Sequence, residues 1–540
     1  REMVSQSSSR GSRLGAEGTG HSLPPPSSLD RQHLVRLRLR RPHMVRTESS
    51  SPIASGLAVA VPAGITAIVV GGYALRRWLK TRDAPPTYTT RLPVLGGLVQ
   101  FLKDPLELIR LGYQKHGEIF KVNMLAKEFV FLVGEKGQEF FFTSDKYLDQ
   151  AKMYSFMIPI FGPKVLYDAD YHTRMAQLRF IRERLTESCL AGYCGTLDDE
   201  VSQFFDEEWG AAGTVDVRDS MTELMTRTAV RCLMGTEMRE MLHSNHHGGH
   251  SVSHLLHTLE QGMLPLSVFM PHFPCTRHWN RDAARREMSA FVAPILKQRR
   301  AKLASGAVDT ESDFLWSVMT STYPDGRTIS DEEIVGFLIA AFFGGMHNSS
   351  ITTAWTALEV MSRPGLAREL REEQQEVLEG GKFTYSAYKR MKKLKSVIME
   401  VLRMHPPLML LMRTVEADIK FKGKSIPRGS VVAVSPNVGN MLEEIYPQAA
   451  EFKPWRFLKT SGGQSEICPP REYQFIPFGG GRRLCKGQEF GYLQVACAIS
   501  HMLQRYEVET VDGVTKPVYD MVVAPAQPCR LNFRRAASRA

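Results

Sequence analysis

The 540-residue chain has eight cysteines, at 189, 194, 232, 275, 468, 485, 497 and 529, and no two form a Cys-x-x-Cys pair. Zinc ribbons and thioredoxin-like redox motifs are therefore excluded. No stretch matches Gly-x-x-x-x-Gly-Lys-Ser/Thr or Gly-x-Gly-x-x-Gly, so the chain has neither a phosphate loop nor a dinucleotide fingerprint. Internal repeats are absent. Lysine is missing from residues 1–50, where acidic residues are also scarce. What is present is ordinary for a globular protein: 43% hydrophobic, 23% charged and 9% aromatic residues. Collagen-like, disulfide-scaffold and mostly disordered chains are ruled out.

The formal net charge of +11 would suit a nucleic-acid binder, but its placement does not. Residues 1–83 hold 13 Lys and Arg against 5 Asp and Glu, whereas the rest hold 55 against 52. The body is nearly neutral, so no nucleic-acid partner is expected.

Residues 1–50, rich in Arg and Ser and containing Pro24-Pro25-Pro26, are too poor in apolar residues to pack. They read as a disordered leader: an organelle transit segment or, preferred because Met44 precedes the next feature, a gene-model extension. Ile53–Leu75 is an uncharged run of 23 residues, enough for a helix to cross a hydrocarbon core of about 30 Å. Arg76, Arg77, Lys80 and Arg82 follow it, with Trp78 among them. This basic collar keeps the body cytosolic by the positive-inside rule. Residues 51–83 are thus expected to be a single-pass anchor, collar and hinge, the last at Asp83-Ala84-Pro85-Pro86. Residues 84–540 are expected to form one domain, mainly α with a minor β portion. Amphipathic helices are predicted at Asp331–Met361 and Ser386–His405, and strands at Ile119–Val122, Phe129–Val133 and Val431–Ser435.

One cysteine differs from the rest, which read as buried small hydrophobes. Phe475-Ile476-Pro477-Phe478-Gly479-Gly480-Gly481-Arg482-Arg483-Leu484-Cys485-Lys486-Gly487 sets a thiol in a glycine-rich loop before a helical pattern. Glycines let a planar macrocycle approach, backbone N–H groups near a helix start stabilise an anionic sulfur, and Arg483 can meet a carboxylate. Such a loop suits axial ligation of haem iron. Phe478-x-x-Gly481-x-Arg483-x-Cys485-x-Gly487 resembles the haem loop of the cytochrome P-450 family of haem-thiolate monooxygenases.

Two further motifs support the resemblance. Glu400-Val401-Leu402-Arg403 places an acid and a base on one helix face, and Arg456 in Phe452-Lys453-Pro454-Trp455-Arg456-Phe457 would complete the family's structural triad. Phe342-Phe343-Gly344-Gly345-Met346-His347-Asn348-Ser349-Ser350 resembles the family's helix over the haem, where dioxygen is accommodated. Within the family, His347 resembles the sterol 14α-demethylases, as do His405-Pro406-Pro407-Leu408-Met409-Leu410-Leu411-Met412-Arg413 and Leu259-Glu260-Gln261-Gly262-Met263. Residues 153–171 resemble the plant and algal branch of that subfamily, and the likeness spans about residues 90–535.

The resemblance implies a cytochrome P-450 haem-thiolate fold in which Cys485 ligates the iron of haem b. Tyr154, Tyr167, Arg413 and Arg483 would bind the propionates. Phe478, Gly481 and Gly487 would shape the loop, and Glu400, Arg403 and Arg456 would brace it. Tyr154, Phe156, Phe161, Met346 and Leu411 would line the sterol pocket, with His347, Asn348 and Ser349 serving proton delivery. Asn348 departs from the family's usual Thr, and Arg483 stands where this subfamily usually has His. The implied reaction is oxidative removal of a sterol 14α-methyl group in three successive monooxygenations. Dioxygen and electrons from NADPH, passed through a flavoprotein reductase that meets Lys486 and Arg482, would sustain it. The implied location is the endoplasmic reticulum membrane, or a plastid or other organelle if the leader is a transit segment. The alternatives are another haem-thiolate monooxygenase, a reductase-independent isomerase on a lipid, or a non-catalytic haem protein. A His-rich stretch at His243, His246, His247, His250 and His254 reads as a solvated insertion.

Overall fold

A 31-residue helix, Asp331–Met361, runs through the middle of the protein and is buried along most of its length. The computed structural model describes residues 83–537 apart from 90–95, 125–126, 244–249, 269, 307–312, 462–463 and 520–521. The leader, membrane helix and basic collar expected over residues 1–82 lie outside the described residues, as do His246 and His247. Helices dominate the described residues and strands are a minority.

The long helix is apolar on every side, as a core helix must be. Its start is fixed by a capping box: Ser330 Oγ accepts the Glu333 N–H, and the Glu333 carboxylate accepts the Ser330 N–H at 2.9 Å. Burial pushes the Glu333 carboxyl up, but Arg327 and Ser330 outweigh it and hold the carboxyl down at about 2. Against the helix pack Val217–Ala229, Gln488–Arg505 and Lys392–Met404. At Gly336 a Cβ would stand 2.2 Å from the Phe161 carbonyl oxygen. Only a glycine lets the short helix Ile158–Phe161 close onto the long one here.

The predicted helix Ser386–His405 is in fact two, Tyr385–Arg390 and Lys392–Met404. Nothing local forces the break. The Glu373 carboxylate of a neighbouring helix accepts the N–H groups of Lys393 and Leu394, at 2.6 and 2.9 Å, and so caps a new helix start. This is a tertiary contact that helical periodicity cannot show.

The main sheet has five strands, in the order Ile119–Met124, Lys127–Leu132, Val431–Val434, Leu411–Val415 and Leu148–Asp149. Its second and third strands are parallel and the other neighbours antiparallel. Val431–Val434 is buried at every residue, as a central apolar run should be. The predicted strands are found, except that Val133 and Ser435 fall outside them. A second sheet joins Tyr506–Thr510, Arg530–Arg535 and Ala212–Asp216. The glycine-rich loop ends at the start of Gln488–Arg505, as its sequence predicts.

Candidate active site

A cavity of about 460 Å³ opens where the glycine-rich loop, the long helix and the edge of the main sheet meet. That volume suits a sizeable organic ligand. Cys485 lines it, and it does so alone among the eight cysteines, all of which belong to the described residues. The loop turns back on itself by a bond from the Cys485 N–H to the Phe478 carbonyl at 2.9 Å. Gly481 has φ of 59°, and a Cβ there would lie 3.1 Å from the Phe142 carbonyl oxygen, so the turn needs glycine twice over. Phe478 packs against Tyr492 of the following helix, ring centroids 5.2 Å apart. The thiol is enclosed by protein yet open to the cavity. Burial pushes Cys485 up, while the Gly487 N–H and the Lys486 charge work the other way.

Arg413 and Arg483 reach the same wall from a strand and from the loop. They share one carboxylate: Asp145 lies 2.7 Å from Arg413 Nη1 and 3.4 Å from Arg483 Nε. Arg413 also donates to the Phe141 carbonyl at 2.7 Å, and Arg483 to the Gln150 side chain at 3.1 Å. Two guanidiniums against one carboxylate leave a positive excess beside the cavity. Burial and the neighbouring Arg483 pull Arg413 down to about 10, with Asp145 opposing. Tyr154 and Tyr167 stack at 5.4 Å and line the cavity. Burial pushes both phenols up, and arginine charge (Arg413 for Tyr154; Arg174 and Arg483 for Tyr167) opposes it.

The long helix presents Ala340, Gly344, Asn348 and Thr352 to the cavity, one residue per turn, with Ala341, Gly345 and Ser349 beside them. No atom lies within 4 Å of where a Gly344 Cβ would be, so the helix leaves space there without breaking. The Asn348 side-chain oxygen is buried and has no hydrogen-bond partner among the described residues. Ser349 Oγ donates to Gln494 at 3.0 Å, and Gln494 donates in turn to Thr228 at 3.1 Å.

The structure does not keep the predicted proton-delivery group together. Asn348 and Ser349 line the cavity; His347, about 100° away around the helix, does not. His347 Nδ1 instead meets Glu260 at 3.2 Å. Burial lowers the His347 pKa and Arg218 adds to this, while Glu260 raises it. Of the residues expected to line a sterol pocket, Tyr154 and Leu411 border the cavity, whereas Phe156, Phe161 and Met346 do not. Phe156 packs on Tyr154 and Phe161 stacks on Tyr167, one layer behind the wall.

Glu400, Arg403 and Arg456 lie together. Arg403 meets both Glu400 oxygens, at 2.8 and 2.9 Å, and Arg456 Nε lies 3.1 Å from each. Arg403 and Glu400 are fully buried. The remaining guanidinium donors reach carbonyls of Asn440, Ala449 and Glu451 for Arg403, and of Pro447, Gln448 and Glu451 for Arg456. Ile398 and Leu402 of the same helix border the cavity, so the cluster fixes one of its walls.

The family model described as Cytochrome P450 matches residues 85–533. The chain belongs to the cytochrome P450 family. It is therefore a haem-thiolate monooxygenase, an oxidoreductase that uses dioxygen and NADPH-derived electrons from a redox partner. The chain is 38% identical to a sterol 14-demethylase of Arabidopsis thaliana over 80% of its length and 87% of that protein's. It is 36% identical to an obtusifoliol 14-alpha demethylase of Triticum aestivum, over 84% of this chain and 98% of that one. Against a lanosterol 14-alpha demethylase of Cunninghamella elegans the identity is 31%, over 84% and 91%. A solved structure, the retinoic acid bound cyanobacterial CYP120A1, superposes with a TM-score of 0.73 at 22% identity, covering 84% of this chain and 99% of that one. That likeness concerns the P450 fold.

The cavity fits the family's cofactor. One thiol, two partly neutralised guanidiniums, two phenols and an apolar helix face with a gap at Gly344 match a flat iron macrocycle bearing two carboxylates. Sequence reasoning missed Asp145, Glu260 and Gln494. Asp145 belongs to no motif. Glu260 stood inside a segment that matched the subfamily but had no stated role, and only the packing of Val252–Gln261 brings it to His347.

Proposed function

We propose that this chain is a sterol 14α-demethylase that removes the 14α-methyl group in three successive monooxygenations, releasing formic acid and leaving a 14,15 double bond. The observation that carries the reading is the cavity's division. Charge gathers on the Arg413–Arg483 wall and at Arg174, Arg184, Arg482 and Lys486, while Leu166, Leu178, Leu411 and the alanine and glycine face of the long helix supply an apolar surface between them. A sterol offers little but apolar surface and needs such a lining. The demethylase names of the similar plant and fungal proteins support sterol over other lipids.

In this reading Cys485 holds the haem iron, and Arg413, Arg483, Tyr154 and Tyr167 hold the propionates. The haem, when bound, supplies activation of dioxygen. Phe478, Gly481 and Gly487 keep the loop flat against it, while Glu400, Arg403 and Arg456 brace the region from behind. Tyr154 and Leu411 form the wall a sterol touches, backed by Phe156, Phe161 and Met346. His347 takes protons from the Glu260 side, and Asn348 and Ser349 orient water within the cavity. Arg482 and Lys486 offer positive charge to the reductase. Anchoring in the endoplasmic reticulum membrane through Ile53–Leu75 belongs to the same proposal, and exposed Val99 and Leu102 on helix Gly96–Lys103 support a nearby apolar surface. Asn348, an amide in place of a hydroxyl relay, favours a second reading: isomerisation of a lipid without a reductase.

A carbon monoxide difference spectrum of the reduced protein tests the thiolate. Incubation with lanosterol and with obtusifoliol, each with reductase and NADPH, tests the reaction. Formate and a 14-demethylated sterol from either substrate are expected. An intact spectrum with no such product from either sterol would overturn the proposal.

A further inference from the structure

The helix that follows the Cys485 loop carries a second set of metal-ligating side chains on the face toward helix Glu187–Phe204. Cys497 and His501 stand four residues apart on Gln488–Arg505, and Cys194 and Asp198 stand four apart on Glu187–Phe204. Residues at that spacing share a helix face, so each helix brings one sulfur and one harder ligand to the contact. A carboxylate oxygen of Asp198, Cys497 Sγ and a ring nitrogen of His501 all lie within 4.8 Å of one another. His501 Nε2 is 2.7 Å from Asp198 Oδ1, which also accepts the Phe383 N–H at 3.3 Å. Cys497 is fully buried, and Cys194 and His501 are nearly so, at 3% and 8% exposure. None of the four borders the cavity, and the monooxygenase chemistry uses none of them.

Each part has a plain explanation alone. Buried thiols pack as small hydrophobes, and a His–Asp hydrogen bond satisfies both partners. Their convergence does not follow from either. Sulfur, imidazole nitrogen and carboxylate oxygen meeting at a helix contact, with Cys497 and His501 buried and Asp198 half-buried, are donors that zinc accepts. Burial pushes the thiol of Cys194 to about 12 and that of Cys497 well up, and in both the Asp198 charge adds to the effect. Both thiols must lose their protons for a cation to bind.

We propose that Asp198, Cys497 and His501, whose donors already meet, form a structural site for a divalent cation of the zinc class, with Cys194, one turn before Asp198 and outside that 4.8 Å group, as its fourth ligand, and that it braces the helix behind the haem loop. On binding, the two thiols release one proton each to solvent, and the proton on His501 moves from Nε2 to Nδ1. The negatively charged site and the dication thus become a metal complex plus two protons, with charge conserved. Cation affinity falls as pH falls, because protons compete for the sulfurs.

The test uses the full haem-loaded protein, purified without a histidine tag and dialysed against zinc. Metal analysis is expected to find about one zinc per chain beside the haem iron, and X-ray absorption at the zinc edge to find sulfur at about 2.3 Å. The paired substitution C497S with H501Q is expected to weaken zinc binding by more than tenfold while the carbon monoxide spectrum of the Cys485 thiolate persists. Should that variant not fold, C194S and the wild-type absorption spectrum decide the matter. Protein holding iron only, zinc with nitrogen and oxygen ligands alone (as the exposed histidines near His250 would give), or zinc unaffected by these substitutions would overturn the proposal.

Discussion

Two clusters in this protein have the same formal make-up, one carboxylate and two arginines, and differ in what completes them. Around Glu400 the positive excess of Arg403 and Arg456 is spread over backbone carbonyls, and every guanidinium nitrogen has a partner. Around Asp145 the bonds are fewer, the Arg483 contact is long, and both arginines border the cavity. The first cluster is closed and holds the fold. The second is open and keeps positive charge in reserve for an anionic group. The same residue types therefore serve architecture in one place and ligand binding in the other, and backbone carbonyls make the difference.

Breaking the closed cluster should have the largest effect. E400A strands two guanidiniums in a buried site, which costs about 3–5 kcal/mol. Thermal unfolding and haem content should both show little folded holoprotein. In the open cluster, R413A should leave a folded protein that loses haem roughly tenfold faster or more, because a hydrogen bond to a charged group contributes about 1.5–3 kcal/mol. Transfer of haem to excess apomyoglobin measures it. If E400A and R413A behaved alike, the distinction between closed and open would fail.

D145N sharpens the comparison from the other side. It removes the carboxylate that competes with the propionates for Arg413 and Arg483. Stability should fall by about 1–2 kcal/mol, whereas haem transfer should be no faster than in the unmodified protein. The smallest effect concerns a histidine–carboxylate pair outside both clusters, His347 and Glu260. Burial places the His347 pKa below the usual 6.5, so the unfolded chain binds a proton there that the native one refuses. Native stability thus falls as pH drops below 6.5. Glu260 is the group that raises this pKa, so E260Q should move the alkaline limb of the demethylation pH profile lower, by less than about one unit.

The closed cluster was legible in the sequence, because Glu400 and Arg403 share a helix turn and Arg456 follows in a short recognisable segment. The Cys485 loop was legible for the same reason: its chemistry is packed into ten consecutive residues. The open cluster was only half legible. Arg413 and Arg483 came from motifs, but their shared Asp145 lies hundreds of residues upstream and is brought to them by strand pairing of Leu148–Asp149 with Leu411–Val415. The direction of His347 was not legible either. Adjacent residues on a helix face different neighbours, and whether His347 or Asn348 sees the cavity depends on how the helix is rotated in its packing. Phe156 and Phe161 fell behind the wall because Tyr154 and Tyr167 occupy the front of the aromatic stack. The split at Met391 came from Glu373, a contact no local pattern announces.

The contact at Gly336 also narrows how this protein can change over generations. A Cβ at 336 would stand 2.2 Å from the Phe161 carbonyl oxygen, and Phe161 stacks on Tyr167, which stacks on Tyr154. A methyl group at 336 would have to push that whole row toward the cavity or lift the helix away from it, at a typical overpacking cost of about 1–3 kcal/mol. Gly344 on the same helix meets no such protein obstacle, and a side chain there would instead enter the space the cofactor needs. Along one helix, eight residues separate a glycine kept by protein packing from one kept by the ligand space it opens.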